Sequence, residues 1–182
     1  VADPSGKTST DWTRQVFRNA FQHNHQLSLT AGTERTKIYA GLGYTDTEGI
    51  VLGSYFERFS GRVNVDHKVN DRLDIAARQM VSFTRTKGHS DQSNQAQGMG
   101  YAPPLGVLTQ SDPTAEPKNP DGSWNEYVSW SGQTGNPHLL FDSDTQYNKT
   151  HTMRSLSSLD VNVKLAEFLT LSNTFGYDYM DN

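Results

Sequence analysis

The sequence predicts an all-β chain that forms a segment of a large antiparallel transmembrane β-barrel with one long extracellular loop. Three observations lead to this fold class. Six segments alternate apolar and polar residues, the connections between them are by turns short and long, and large aromatic residues lie towards one end of the apolar faces.

The composition of the 182-residue chain suits strands with one apolar face better than a thick two-layer core. Hydrophobic residues make up only 34% of the chain, with 15 Gly and 7 Pro. The net charge of -4 gives no basic excess from which to argue nucleic-acid binding, and the absence of cysteine excludes disulfides and zinc–thiolate sites. No run approaches the roughly 18 apolar residues of a transmembrane helix, whereas a spanning strand needs only about ten alternating residues.

Alternation with a period of two predicts strands at about residues 24–32, 37–45, 57–67, 71–86, 151–165 and 168–180. One face of these strands is apolar and carries no charge: Leu27, Leu29, Ala31, Ile38, Ala40, Leu42, Tyr44, Phe59, Gly61, Val63, Val65, Leu73, Ile75, Ala77, Val81, Phe83, Leu159, Val161, Val163, Leu165, Leu169, Leu171, Phe175, Tyr177 and Tyr179. The opposite face is polar: Arg58, Arg62, Asn64, Asp66, Asp74, Arg78, Ser82, Arg154, Asp160, Asn162, Lys164, Thr170, Ser172, Thr174 and Asp178. A wall between lipid and a wet lumen requires this separation, because a charge at the bilayer midplane costs about 2–4 kcal/mol.

The connections favour a barrel over a soluble β-sandwich, in which strands alternate in the same way. Short connections at 32–36, 68–70 and 166–167 are separated by a longer one at 46–55 and by a stretch of about 87–149. An up-and-down barrel with short periplasmic turns and long extracellular loops produces this order. We therefore expect residues 88–148 to face the cell exterior.

Large aromatic residues on the apolar face cluster towards the ends of the strands that border the long connections. They are Tyr44, Phe59, Phe83, Phe175 and Tyr177. Aromatic rings of this kind form girdles at membrane interfaces, although they are also common in ordinary strands. Six strands cannot enclose a charged lumen, since even eight leave a space that side chains fill, so we interpret the chain as a fragment of a larger barrel.

Several segments on both sides of the long connection form a recognisable set. Before the connection they are 11–18 (DWTRQVFR), 27–36 (LSLTAGTERT), 39–44 (YAGLGY), 48–50 (EGI) and 56–66 (FERFSGRVNVD). Beyond it they are 153–162 (MRSLSSLDVN) and 174–179 (TFGYDY). Together these segments resemble the SusC/RagA family of outer-membrane transporters. The resemblance covers most of the chain, and residues 88–148 match only in length and composition.

The resemblance implies a 22-stranded barrel with a plug domain, located in the outer membrane of a Gram-negative bacterium. It further implies TonB-dependent import of large nutrients, either glycans or peptides, together with a SusD-like surface lipoprotein. The quoted segments correspond to barrel strands, so neither the plug domain nor a TonB box is expected within residues 1–182.

The sequence indicates no enzyme, cofactor or metal site. It contains no Gly-x-Ser-x-Gly elbow, phosphate-binding loop or His-Glu-x-x-His motif, and the family implies no catalytic residues. His23 and His25 lie two residues apart without a visible third ligand. Residues 142–146 begin like a calcium loop, but Tyr147 and Met153 occupy the positions that require Gly and Glu.

The long connection provides the candidate contacts with cargo or partner, namely Tyr101, Trp124, Tyr127 and Trp130. Exposed aromatic rings suit stacking on sugars or packing against a lipoprotein. The alternative is that these rings pack against one another within the loop. On the polar face, the arginines either bind acidic cargo or pair with aspartates of neighbouring strands, and we expect pairing.

Two other classes of function remain as alternatives. One is a soluble, secreted β-sandwich that binds carbohydrate through Trp124 and Trp130. The other is an outer-membrane hydrolase that uses Asp and His residues of the loop.

Overall fold

A computed structural model describes residues 7–89, 108–130, 133–142 and 147–182. The elements in chain order are α1 (Thr13–Val16), β1 (Gln22–Gly32), β2 (Thr36–Glu48), β3 (Tyr55–Asn70), β4 (Leu73–His89), β5 (Ser129–Trp130), β6 (Gln133–Thr134), α2 (Pro137–Asp142), β7 (Tyr147–Ala166) and β8 (Leu169–Asp181). Among the described residues, no helix is long and apolar enough to cross a membrane.

The six long strands form one antiparallel sheet in the order β1-β2-β3-β4-β7-β8, so each strand pairs with its neighbours along the chain. All six predicted strands are confirmed; five are longer than the alternation indicated, and β8 has the predicted length but begins and ends one residue later. The tiny strands β5 and β6 and the helices α1 and α2 were not predicted, because elements this short have too few residues to show a period. Contacts divide the chain into two compact units, described separately below.

The positions of two tight turns differ from the prediction. Residues 68–70 belong to β3, where the Lys68 amide donates to the carbonyl of Arg35 at 2.7 Å, and the turn consists of Asp71 and Arg72. The last turn consists of Glu167 and Phe168 instead of 166–167. At the first turn the polar residues Lys68 and Asn70 continue the strand, because a strand end exposed to water tolerates polar side chains. At the second turn Ala166 continues β7.

The first unit, which we call the loop unit, comprises 1–21, 48–55 and 87–149. Its core is a small cluster of buried apolar side chains drawn from parts of the chain that are far apart: Trp12, Val16, Leu108, Ala115 and Val128, with Phe17, Val51 and Leu52 packed against them. The N-terminal segment is fixed to the long connection by backbone and side-chain hydrogen bonds. Thr10 donates its amide to the carbonyl of Pro113 at 2.8 Å, and Trp12 donates its indole N–H to the carbonyl of Asp112 at 2.9 Å.

Asn136 is the central polar group of the loop unit. Its side chain is 1% exposed, and its amide nitrogen donates to the carbonyls of Pro117 and Asn125, both at 2.9 Å. Its side-chain oxygen accepts the backbone N–H of His138 at 2.9 Å. One amide therefore joins three separate stretches of the loop.

We predict that Asn136→Asp destabilises the loop unit by about 3 kcal/mol, because a buried carboxylate oxygen would face two carbonyl oxygens and could donate to neither. Hydrogen exchange of residues 108–142 in the complete protein measures the effect. Asn119→Asp is the matched control, since the Asn119 amide is exposed and donates to Ser123 and the carbonyl of Trp124. Equal protection in the two variants would show that Asn136 does not hold the loop together.

Candidate functional site

The first candidate surface is the apolar face of the six-stranded sheet, which lies in the second unit (22–47, 56–86 and 150–182). The register places apolar residues directly opposite one another, as in Leu27 with Leu42, Leu29 with Ala40 and Val163 with Leu171. These side chains are not covered: Leu27 is 71% exposed and Leu171 is 56% exposed. In the described residues the other sheet consists only of β5 and β6, so no second layer of the kind found in a β-sandwich covers this face.

The predicted aromatic residues lie on this face towards the long-connection end of the strands. The rings of Tyr44 and Phe59 are in contact, with centroids 4.5 Å apart, and the Tyr44 hydroxyl donates to Glu57 Oε1 at 3.2 Å. Phe83, Phe175 and Tyr177 are each more than half exposed. Rings with an apolar body and a polar end suit the boundary between hydrocarbon and water.

Charged groups continue the same face beyond these rings. Arg85 pairs with Glu57 at 3.5 Å, and His23 lies 3.6 Å from Asp46. The His23 and His25 rings are 5.4 Å apart, but no group of three metal-ligating side chains occurs among the described residues. Along this face the side chains therefore change from aliphatic to aromatic and then to charged. This order is expected where a protein surface passes from the membrane interior into water.

A polar cluster that sequence alternation did not reveal interrupts the apolar face. Gln79 of β4 donates to the hydroxyl of Ser155 at 3.0 Å, and the hydroxyl of Ser157 donates to Gln79 Oε1. The three side chains satisfy one another across β4 and β7. A polar group can therefore lie among apolar ones at reduced cost, because its hydrogen bonds are already made.

The second candidate surface is the polar face, where cross-strand ion pairs form a network. Arg78 of β4 pairs with Asp66 of β3 at 3.3 Å and also with Asp160 of β7, whose other oxygen accepts the Thr174 hydroxyl at 2.7 Å. Arg154 makes two hydrogen bonds to Asp178, at 3.0 and 2.6 Å. The expected pairing is confirmed for these two arginines.

Arg58 and Arg62 do not follow that expectation. Both lie on β3 on the polar face and are exposed, and neither side chain makes a hydrogen bond or an ion pair with any residue in the described ranges. Alternation shows which face a residue occupies but does not reveal its cross-strand partner, which depends on the register.

The third candidate is the aromatic group of the loop unit, whose members occupy different environments. The Trp124 ring is half-buried and stacks on His138, with centroids 3.9 Å apart, while Lys118 Nζ lies 4.7 Å from the Trp124 centroid. Tyr127 is 80% exposed. The backbone of Trp130 pairs in β5, but its side chain and all of Tyr101 lie outside the described residues. Trp124 thus packs within the loop, while Tyr127 is available for contact.

Short polar turns shape the loop around these rings. In the turn that contains Gly122, whose φ is +87°, the hydroxyl of Ser123 donates to Asp121 at 2.7 Å and lowers the pKa of that carboxyl. The Thr114 hydroxyl likewise donates to Asp112 at 2.7 Å and lowers its pKa. Both carboxylates also accept a hydrogen bond from a backbone N–H group, so their role is to stabilise the turns.

Comparison with known sequences identifies relatives that are all receptors. The chain is 29% identical to TonB-dependent receptor P26 of Formosa agariphila over 97% of its length, and 24% identical to TonB-dependent receptor P3 of the same organism over 94%. It is 42% identical to TonB-dependent receptor SusC of Bacteroides thetaiotaomicron over 60 residues, which are 33% of the chain and 6% of SusC. The chain spans about 17% of the length of P26 and P3. No family model matches the sequence.

Comparison with solved structures defines the fold. The structure of the RagAB peptide importer in the closed-closed state superposes with a TM-score of 0.74 at 20% identity, over 96% of this chain and 20% of that one. A second structure, of the RagAB peptide transporter, gives a TM-score of 0.72.

The chain is therefore similar in sequence to TonB-dependent receptors, and its sheet has the fold of a segment of a large transmembrane β-barrel. In such a wall one face meets lipid and the other a wet lumen, which suits the apolar and polar faces described above. More particularly, the segment is SusC/RagA-like, as its sequence motifs indicated. The named relatives are receptors and transporters, and none is described as an enzyme.

We predict that Val163→Arg impairs folding of the complete barrel into bilayers by about 2–4 kcal/mol if the site lies near the midplane, and by less near an interface. Val161→Arg should be at least as harmful. Lys164→Gln is the control on the neighbouring residue, which the pleat places on the lumenal side, and should be mild.

Accessibility then separates lipid contact from burial in a protein core, which would also reject an arginine. A spin label at Val161 should be relaxed by oxygen dissolved in the bilayer and shielded from a water-soluble quencher. The opposite pattern would contradict the assignment of this face to lipid.

Proposed function

We propose that this chain forms part of the barrel wall of a transporter that imports large nutrients across the outer membrane of a Gram-negative bacterium with energy supplied through TonB. The observation that carries the proposal is the contrast between the two faces of the sheet: one is apolar and uncovered, and the other carries a hydrogen-bonded ionic network. Such a sheet suits a position between hydrocarbon and water. The receptors and the importer to which the chain is similar support the same function.

We further propose that the transporter works with a surface lipoprotein of the SusD type and carries glycans or peptides. SusC gives its name to the family that the motifs resemble, and RagAB is described as a peptide importer. The description of RagAB supports peptides as one cargo class. The glycan class and the lipoprotein partner rest on the resemblance of the sequence motifs to the SusC/RagA family.

Import should be tested in cells that express the complete transporter. Uptake of labelled oligosaccharides and oligopeptides should require both the transporter and an active TonB, and deletion of the neighbouring lipoprotein should reduce it. Uptake of both classes that persists without TonB would contradict the proposed function.

The length alternation of the connections leads us to propose that the loop unit faces the cell exterior and that residues 33–35, 71–72 and 167–168 face the periplasm. We predict that protease added to intact cells cuts, if anywhere, within residues 88–148. In permeabilised cells the protease also reaches the side that carries the short turns, but turns this tight resist cleavage. Cleavage confined to the short turns in intact cells would reverse the topology.

Among the loop aromatics, Tyr127 is our candidate for contact with cargo or lipoprotein, and Trp124 is a structural residue. We predict that Tyr127→Ala weakens complex formation or uptake while the protease resistance of the loop is unchanged, because this ring is 80% exposed. Trp124→Ala should instead make the loop more susceptible to protease, since it removes the ring that stacks on His138. If Tyr127→Ala leaves both transport and the complex unchanged, Tyr127 does not contact cargo or lipoprotein.

A further inference from the structure

We infer that Arg58 and Arg62 of β3 form a binding site for carboxylate groups on the cargo, an assignment that rests on the proposed function in import. Guanidinium groups bind carboxylates through paired, charge-assisted hydrogen bonds. The transporter would accordingly prefer acidic oligomers over neutral ones of the same size.

The first argument is that these two charges are not neutralised by any described residue of the sheet. Arg78 and Arg154 lie on the same polar face, and each is bonded to at least one aspartate. Arg58 and Arg62 are exposed and have no ion pair or hydrogen bond with the residues that the structure describes. A guanidinium whose donors are unoccupied is available to a ligand, whereas a paired one would first have to give up its carboxylate.

The second argument is that the neighbouring side chains leave both guanidinium groups exposed. Between the two arginines lies Ser60, whose hydroxyl occupies the space over Gly43 of β2, 2.7 Å from where a Cβ atom would be. The Tyr39 ring covers the neighbouring Gly41, and its hydroxyl lies 2.9 Å from where a Cβ atom would be. These two side chains fill the spaces over the glycines without covering Arg58 or Arg62, which are both exposed.

The third argument concerns position and spacing. Arg58 and Arg62 lie in the half of β3 that is nearer its start, which in the proposed topology is the outer half, whereas Asp66 and its partner Arg78 lie deeper. Four residues of strand separate the two guanidinium-bearing positions by about 13 Å. An extended oligomer with repeated acidic groups can span that distance, but a single small acid cannot. The site therefore selects acidic polymers or peptides soon after they enter the lumen.

The test measures binding to the purified complete transporter with two pairs of probes. Tetraglutamate is compared with tetraglutamine, and oligogalacturonate is compared with its methyl ester, so that each pair differs only in charge. The wild type should bind the acidic member of at least one pair about tenfold more tightly, which corresponds to one charge-assisted interaction. This preference should diminish as salt is added.

The variant Arg58→Gln with Arg62→Gln should lose the preference while its binding of the neutral probe is unchanged. The matched control is Arg154→Gln with Asp178→Asn, which removes a paired arginine of the same face without changing the net charge and should retain the preference. No preference in the wild type, or a preference that survives in the Arg58/Arg62 variant, would overturn the assignment.

Uptake assays on the same variants distinguish this inference from the function on which it rests. If the wild type imports oligomers in a TonB-dependent manner without regard to charge, only the carboxylate site is wrong. If it imports nothing, the proposed function fails, and the site has no cargo to bind.

Discussion

The hydrogen-bond ladder between neighbouring strands is the constraint on which the rest of this structure depends. Hydrocarbon offers no partner to a backbone N–H or C=O, so every such group within the membrane must be paired with an adjacent strand. Once the strands pair, the pleat fixes which residues share a side, and the two sides meet different solvents. The same constraint explains why the charged network and the exposed leucines can lie on opposite sides of a wall one strand thick.

Sequence alone revealed the parts of the fold that depend on local periodicity. Leu27 and Leu42 could be assigned to one face because each lies in a regular alternation, and the register then placed them opposite each other. The ends of the strands were less predictable. Lys68 is a polar residue that belongs to a strand, and Phe168 is an apolar residue that belongs to a turn, so side-chain polarity does not mark where the strands end. Strand ends in water are only weakly specified by composition.

Features that depend on contacts between residues far apart in the chain could not be predicted from the sequence. Trp12 and Asp112 are separated by about a hundred residues, and no pattern around either one indicates that they are bonded. Gln79 interrupts the alternation of its own strand, and its place on the apolar face is explained by its hydrogen bonds to Ser155 and Ser157 on the next strand of the sheet. Arg78 is paired, whereas Arg58 has no ion pair with the residues that the structure describes, and this difference likewise follows from register, which depends on the whole sheet.

The composite core of the loop unit has a consequence for the order in which the protein assembles. Its apolar residues come from a segment before β1, from the connection after β2 and from the connection after β4, so the pieces are separated by both hairpins. The backbone contacts between Phe21 and Glu48 and between Phe17 and Val51 extend the first hairpin, and they can form early because they are close in sequence. Val128 can reach its place only after the second hairpin has been made, which involves closing a much longer loop. The loop unit should therefore be the last part to become ordered, and during biogenesis its apolar residues remain exposed to chaperones and proteases until both hairpins have formed.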